Sequence, residues 1–186
     1  MSATLILGGA RSGKSALAER LARESGKDVA YLATAHAGDG EMHARIAHHR
    51  ARRPAHWATL EEPLALAALL RRECTAGRLL LVDCLTLWLT NLMLCGAAPL
   101  EEAGELVLPA RFDDERAALL ELLDAGLPGE LILVSNEVGM GIVPLGALSR
   151  RFADEAGRLN QDVAARTGRV ILVAAGLPLV LKGAPC

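Results

Sequence analysis

The residues with the clearest chemistry lie near the start of the chain and match the pattern GxxxxGK[ST] in full. They are Gly8, Gly9, Ala10, Arg11, Ser12, Gly13, Lys14 and Ser15. Glycines let the backbone curl so that successive N–H groups face one anion, and a helix that begins there adds its partial positive charge. The pattern therefore predicts a phosphate-binding loop, in which Lys14 reaches the outer phosphates of a nucleotide as a catalytic residue. The alternative is a glycine-rich turn that binds nothing.

A second candidate is the acid that ends the apolar run Leu79–Val82, namely Asp83. A carboxylate at the end of a buried strand, beside a phosphate-binding loop, is the usual arrangement for holding Mg²⁺. The hydroxyl of Ser15 would be the other metal ligand. The alternative interpretation is an acid that only caps the next helix.

All five histidines fall within a span of 21 residues that is also rich in arginine. The histidines are His36, His43, His48, His49 and His56, and the arginines are Arg45, Arg50, Arg52 and Arg53. If residues 41–53 form a helix, side chains three, four and seven positions apart share one face and make a cationic stripe. Three interpretations compete: a metal site, a solvated basic surface, or a grip on phosphates with a histidine as general base or nucleophile.

Two further segments follow candidate strands. Glu61 and Glu62 come after the weak strand Trp57–Leu60, where one of them could bond to a base or ribose edge or simply start a helix. The segment Ser135–Pro144 follows the strand Leu131–Val134 and carries two glycines. Ligands bind at the carboxyl ends of parallel strands, so this segment is expected to border the site unless it is an ordinary connection.

The elements that must position these residues alternate between short apolar runs and helical patterns. Continuous apolar strands indicate a sheet covered on both faces, and hence a three-layer α/β fold with a mostly parallel sheet. Strands are predicted at Thr4–Leu7, Val29–Ala33, Leu79–Val82, Leu131–Val134 and Val170–Val173, with weaker ones at Trp57–Leu60 and Leu179–Leu181. Helices are predicted at Lys14–Glu24, Glu41–Arg53, Pro63–Cys74, Leu85–Leu94, Asp113–Leu123 and Leu145–Thr167, with a surface excursion at Gly96–Arg111.

Composition excludes several classes of protein. A chain of 186 residues that is 52% hydrophobic fits one domain over residues 1–186 and argues against disorder. A net charge of −2 and scattered aromatic residues argue against nucleic acid as the main partner. The four cysteines form no CxxC pair, and the chain shows neither a secretion signal nor an apolar run of about 20 residues. We therefore expect a cytoplasmic protein without a membrane span.

Taken together, these segments resemble the bifunctional adenosylcobinamide kinase / adenosylcobinamide-phosphate guanylyltransferase family of cobalamin biosynthesis. The resemblance covers nearly the whole chain. It rests on GGARSGKS at 8–15, YLAT at 31–34, EMHARIAHHRARRPAHW at 41–57, DCLTLWLTNL at 83–92, SNEVGMGIVP at 135–144 and RRFADEAGRLNQDVA at 150–164. The first motif is shared by many nucleotide-binding proteins, whereas the histidine segment and the SNEVGMGIVP segment are far more specific.

The resemblance implies a P-loop fold of RecA-like topology with about seven strands, assembled as a homotrimer. It implies that ATP or GTP phosphorylates adenosylcobinamide, and that GMP from GTP is then transferred to adenosylcobinamide phosphate through a guanylylated histidine. By motif position that catalytic histidine is His48. The implied nucleotide contacts, besides the loop at 8–15, are Ala33, Thr34, Ala35, His49, Arg50, Ala51, Arg52, Glu61 and Asp83.

Two other functions remain open on the residues alone. One is an ordinary P-loop kinase for a small molecule, in which the histidine segment only closes over the nucleotide. The other is a nucleotide-dependent switch, against which stands the lack of an NKxD element for guanine recognition.

Overall fold

The computed structural model describes residues 3–34, 54–95 and 107–184. Seven strands form one sheet in the order β3-β2-β4-β5-β1-β6-β7. All neighbouring pairs are parallel except β6 and β7, which are antiparallel. The strands are β1 Ala3–Gly8, β2 Asp28–Ala33, β3 Ala58–Glu61, β4 Arg78–Asp83, β5 Glu130–Asn136, β6 Arg169–Ala174 and β7 Leu177–Lys182. The mostly parallel sheet predicted from the continuous apolar runs is confirmed.

Five helices lie among the described residues, and they cover both faces of the sheet. They are α1 Lys14–Glu24, α2 Leu66–Glu73, α3 Leu85–Leu94, α4 Ala110–Ala125 and α5 Ala147–Arg166. Helix α1 packs with the apolar cluster on one face, which contains Ile6, Leu81 and Val134. The other four helices pack with the cluster on the opposite face, which contains Leu5, Leu80 and Leu133. The five inner strands are buried on both sides, which explains why their sequences do not alternate with polar residues, whereas the edge strands β3 and β7 are mostly exposed.

Several helix boundaries differ from the predicted ones by a few residues. The predicted helix Pro63–Cys74 begins only at Leu66, because the Glu62 carboxylate accepts the N–H groups of Leu64 and Ala65 at 2.9 and 2.8 Å. Helix α4 begins at Ala110, three residues before its predicted start, directly after a proline that cannot donate a backbone hydrogen bond. Arg111, which was predicted to end a surface excursion, is therefore helical. The predicted helix 41–53 and residues 96–106 of that excursion lie outside the described residues.

The strand order brings the functional candidates to one edge. Strands β1, β4 and β5 are neighbours, with β5 in the middle. Because they run in parallel, their carboxyl ends meet, so that Gly8 is in register with Asn136, and Asp83 with Val134 and Ala33. We call this edge, with the start of α1, the carboxyl edge. The opposite edge, where these strands begin, is the amino edge.

Candidate active site

The glycine-rich loop is a close-packed turn between β1 and α1. A Cβ on Gly8 would lie 2.5 Å from the Ser12 hydroxyl and 2.6 Å from the Val173 carbonyl oxygen, so only glycine fits there. Gly13 has a φ of +99°, in the left-handed region that glycine tolerates. The loop is closed by the Ser12 N–H, which donates to the Gly9 carbonyl at 3.2 Å. The sequence pattern therefore forms the turn that was predicted from it.

The turn of the β6–β7 hairpin supports this loop from the side. The Gly176 N–H donates to the Ser12 carbonyl at 2.8 Å, and a Cβ on Gly13 would lie 3.2 Å from the Gly176 Cα. Ala175 and Gly176 both have positive φ, as a two-residue hairpin turn requires. Nothing in the sequence pointed to this contact, because the two turns are more than 160 residues apart in the chain.

The start of α1 provides a positive environment for an anion. The helix has no side-chain cap and no acidic residue in its first turn, so no side chain of this helix satisfies its terminal N–H groups or offsets its partial positive charge. Lys14 is buried, and its Nζ donates to the Gly9 carbonyl at 3.1 Å, across the mouth of the loop. Among the described residues the buried Ser12 hydroxyl has no hydrogen-bond partner. This arrangement suits a phosphate group.

Asp83 ends β4 and is half-buried at the same edge. Its Oδ2 accepts a hydrogen bond from the Tyr31 hydroxyl at 3.1 Å. Burial raises the pKa of the adjacent Cys84 thiol to about 11; the negative charge of Asp83 adds to this rise, and the positive charge of Lys14 opposes it. The register of β1 and β4 with β5 places the end of β4, with Asp83, and the start of the glycine-rich loop at the same edge of the sheet.

Thr34 follows β2 and is fully buried. Its hydroxyl donates to the Cys84 carbonyl at 2.7 Å and accepts from the Cys84 N–H at 3.0 Å. The Asn91 side chain donates to the Thr34 carbonyl at 2.7 Å. These bonds tie the end of β2 to the end of β4, so the Thr34 side chain is used within the protein. A nucleotide contact at this position would have to use the Thr34 backbone N–H.

The two glutamates after β3 have different roles. Glu62 starts α2 through the two hydrogen bonds given above, and its N–H donates to the Ala33 carbonyl at 3.1 Å. Glu61 is exposed and is in register with Ala33 at the end of β2. Of the two, Glu61 is therefore the one whose carboxylate is available to a ligand.

The connection between β5 and α5 is exposed and apolar. Its first N–H, from Glu137, donates to the Gly8 carbonyl at 3.1 Å, which joins it to the glycine-rich loop. The exposed apolar side chains are Met140, Ile142, Val143 and Leu145. Beside them, a cavity of about 390 Å³ is lined by Thr90, Met93, Leu94, Val138, Pro144, Leu148, Ser149, Phe152 and Ala153. The structure thus places the segment that was predicted to border the site next to the glycine-rich loop.

The remaining predicted site residues lie outside the described residues. They are Ala35, His48, His49, Arg50, Ala51 and Arg52. His56, the one histidine that the structure describes, is exposed in the turn before β3. Within residues 3–34, 54–95 and 107–184, no three histidine, cysteine, aspartate or glutamate side chains come together as metal ligands. In the same ranges no helix has the length and apolar character needed to cross a membrane.

Sequence reasoning missed the residues that hold the site in place. Tyr31 and Thr86 are buried and were assigned no role, although both lie in segments that carried the family resemblance. Their signal is a polar group inside or just after an otherwise apolar strand, where a hydrogen-bond partner is required.

Comparison with known proteins gives matches over nearly the whole chain. A family model described as "Cobinamide kinase / cobinamide phosphate guanyltransferase" matches residues 4–181. The chain is 67% identical over 181 residues to the bifunctional adenosylcobalamin biosynthesis protein CobP of Pseudomonas aeruginosa, covering 97% of this chain and 98% of the relative. It is 41% identical over 180 residues to the CobU protein of the same description from Salmonella typhimurium, covering 96% and 98%.

Comparison with solved structures supports the fold. An ATPase from the type III secretion system of pathogenic bacteria aligns with a TM-score of 0.54 at 16% identity. The alignment covers 96% of this chain and 56% of the ATPase, so the chain spans little more than half the length of that protein. At this identity the likeness concerns the fold alone, which is an α/β fold of the P-loop class.

Proposed function

Because the chain belongs to the cobinamide kinase / cobinamide phosphate guanyltransferase family, it is an enzyme with both of these activities, and we propose how its residues divide the chemistry. The substrates are adenosylcobinamide in the first step and adenosylcobinamide phosphate in the second. The observation that carries the proposal is the carboxyl edge, where the glycine-rich loop, Lys14 and Asp83 come together around a site suited to phosphate. The family and the fold indicate nucleotide use, and ATP and GTP are the proposed nucleotides.

In the kinase step, the hydroxyl oxygen of adenosylcobinamide attacks the γ-phosphorus of ATP or GTP. The bond from that phosphorus to the β–γ bridging oxygen breaks, the nucleoside diphosphate leaves, and the hydroxyl proton passes to water. The backbone N–H groups of residues 8–15 hold the phosphates, and Lys14 balances the charge that develops on them. Lys14 can do this by exchanging its bond to the Gly9 carbonyl for one to a phosphate oxygen.

In the guanylyl step, a neutral imidazole nitrogen of His48 attacks the α-phosphorus of GTP. The bond to the α–β bridging oxygen breaks, pyrophosphate leaves, and GMP is joined to the histidine by a P–N bond. An oxygen of adenosylcobinamide phosphate then attacks the same phosphorus, the P–N bond breaks and the histidine is restored. The neighbouring Arg50 and Arg52, with His49 and the backbone at Ala51, would stabilise charge on the phosphoryl oxygens.

The oxygen donors at the carboxyl edge fit Mg²⁺. The Ser15 hydroxyl lies at the start of α1, and Asp83 presents a carboxylate of which Tyr31 uses the Oδ2 atom. Hydroxyl and carboxylate oxygens are the ligands that this ion takes in phosphoryl-transfer sites. When bound, Mg²⁺ would offset negative charge on the phosphates.

The other nucleotide contacts are proposed at the ends of β2 and β3. We propose backbone contacts to the nucleotide at Ala33, Thr34 and Ala35. The two alanines have no polar side chain, and the Thr34 hydroxyl is bonded to Cys84. Glu61 would accept a hydrogen bond from a base or ribose edge, because its carboxylate is exposed while that of Glu62 starts α2. We further propose a homotrimer located in the cytoplasm, as the family resemblance implies.

The experiment that tests this function follows the α-phosphate. GTP labelled there should leave acid-labile, base-stable label on the denatured protein, whereas a simple kinase or a nucleotide switch would leave none. His48→Ala should abolish the label while phosphoryl transfer from γ-labelled nucleotide partly survives. His56→Ala is the matched control and should keep both activities. Equal loss of both activities in His48→Ala would contradict the role proposed for that histidine.

A further inference from the structure

Asn136 ends the strand that lies between the two phosphate-site strands. Strand β5 separates β1, which leads into the glycine-rich loop, from β4, which ends at Asp83. Asn136 is in register with Gly8, the first residue of that loop. Side chains alternate along a strand, so Asn136 lies on the same face as Ile132 and Val134, which belong to the apolar cluster around α1. The half-buried carboxamide therefore lies on the side of the sheet from which α1 starts.

The backbone of Asn136 is fixed on both sides by buried side chains from two different helices. Its N–H donates to the Thr86 hydroxyl of α3 at 2.6 Å. Its carbonyl accepts from the Asn160 Nδ2 of α5 at 3.3 Å. Thr86 and Asn160 are 7% and 6% exposed, and the next N–H along the chain donates to the Gly8 carbonyl. The position of Asn136 relative to the loop is therefore held rigidly.

The carboxamide of Asn136, in contrast, is weakly engaged within the protein. The described contact of its Nδ2 is to the Cys84 sulfur at 4.0 Å, and a thiol sulfur is a poor acceptor. Asp83 precedes that cysteine directly and is in register with Val134, two residues before Asn136 on the same strand. An amide donor with unused hydrogen-bonding capacity thus lies at the carboxyl edge, on the strand between the one that ends at Asp83 and the one that leads into the glycine-rich loop.

We propose that Asn136 is a further catalytic residue of the kinase step, whose Nδ2 donates a hydrogen bond to the γ-phosphoryl group as it is transferred. The inference rests on the proposed function and adds a contact to it. A neutral donor stabilises negative charge on the equatorial oxygens while the new P–O bond forms and the bond to the β–γ bridging oxygen breaks. A carboxylate at this position would repel the same oxygens, which explains the use of an amide.

The test compares Asn136→Ala and Asn136→Asp with Gln161→Ala, which removes an exposed amide from α5. The substitutions at Asn136 keep the backbone bonds to Thr86 and Asn160, so both variants are expected to fold, and thermal unfolding checks this. Removing one preorganised donor typically slows a reaction by about 10²-fold. We expect a loss of that size in kcat for phosphoryl transfer in Asn136→Ala, a larger one in Asn136→Asp, and none in Gln161→Ala.

Nucleotide binding gives a second readout that a purely structural role would not move. Asn136→Asp should weaken binding of a non-hydrolysable GTP analogue much more than binding of GDP, because only the triphosphate carries the γ-phosphoryl group. Labelling from α-labelled GTP should fall less than phosphoryl transfer. A folded variant with wild-type phosphoryl transfer, or equal loss of triphosphate and diphosphate binding, would overturn the inference. Absence of phosphoryl transfer in the wild type would instead overturn the proposed function.

Discussion

The amino edge and the carboxyl edge of the sheet use their charged side chains in opposite ways. At the amino edge the charges pair with one another: Lys27 with Glu130 at 2.9 Å, and Arg78 with Asp28 at 3.2 Å and with Glu73 at 2.8 Å. At the carboxyl edge Lys14 bonds to a backbone carbonyl and Asp83 accepts from a tyrosine. In the part of the chain that the structure describes, no ion pair joins Lys14 to a carboxylate.

This difference separates charges that hold the protein together from charges that are kept for a ligand. A paired surface charge has little left to offer a substrate, and it stabilises the fold only modestly. A buried ammonium group without a carboxylate partner is costly to keep unless a ligand supplies the negative charge. At the carboxyl edge Lys14 and Asp83 are not paired with each other, which supports the proposal that the lysine serves a phosphate and the carboxylate a divalent cation.

The largest expected effect is on the reaction rates, and it is tested by replacing one lysine at each edge with alanine. Lys14→Ala should lower the rates of both phosphoryl and guanylyl transfer by about 10²–10³-fold, because we propose that one phosphate site serves both nucleotides. Lys27→Ala is the matched control: it should leave both rates unchanged and lower the free energy of unfolding by about 0–1 kcal/mol through the pair with Glu130. Steady-state kinetics and urea unfolding measure the two outcomes. If Lys14→Ala and Lys27→Ala changed the two rates to a similar extent, the distinction between structural charges at the amino edge and ligand-binding charges at the carboxyl edge would be wrong.

A smaller effect is expected from adding one methyl group to the carboxyl edge. In Gly8→Ala the new Cβ would meet the Ser12 hydroxyl at 2.5 Å and the Val173 carbonyl at 2.6 Å. We expect the free energy of unfolding to fall by about 1–3 kcal/mol, the usual cost of overpacking. Gly9→Ala, where nothing lies within 4 Å, should change that free energy by less than about 0.5 kcal/mol. Urea unfolding of both variants checks this, and equal losses would show that the loop is not close-packed at Gly8.

The sequence alone was sufficient to predict the strands, helices α1 and α3 and the glycine-rich loop, because each of them depends on a local pattern of residues. The apolar runs of the five inner strands are buried on both faces, the two weaker runs form exposed edge strands, and Gly13 and Lys14 mark the start of a helix. Because the sheet was predicted to be mostly parallel, the sequence also predicted that the glycine-rich loop and Asp83 lie at one edge. The family resemblance identified the chemistry in more detail, and the family that it indicated is confirmed.

Contacts between distant parts of the chain could not be predicted from the sequence. The Tyr31 hydroxyl reaches Asp83 across 52 residues, and the Thr34 hydroxyl reaches Cys84 across 50. Neither pair has a spacing that a local pattern encodes. The same limit explains why the sequence names Thr34 as a nucleotide contact without showing that its hydroxyl joins two strands. The roles of His48 and its neighbours stay predictions, since these residues lie outside the described ranges.

The smallest expected effect concerns the pH dependence of the amino edge. Hydrogen bonds from Arg72 and then Arg78 hold the pKa of Glu73 below its usual value of 4.5, and partial burial opposes them. A carboxyl whose pKa is lower in the folded state stabilises the fold above the unfolded pKa, and this contribution is lost as the pH falls through the folded pKa. The stability difference between the wild type and Glu73→Gln should therefore be full at neutral pH and shrink as the pH falls below about 4.5.

A double-mutant cycle separates this contribution from a general loss of surface charge. Arg72→Ala should reduce the pH dependence of the free energy of unfolding in the wild-type background and have no such effect in the Glu73→Gln background. Urea unfolding between pH 3 and pH 7 measures all four proteins. Phosphoryl transfer at neutral pH should be the same in all of them, because the amino edge holds charges that serve only the fold. If Arg72→Ala instead changed the kinetics, the two edges would be coupled through the strands that join them, and the separation of structural from ligand-binding charge would fail.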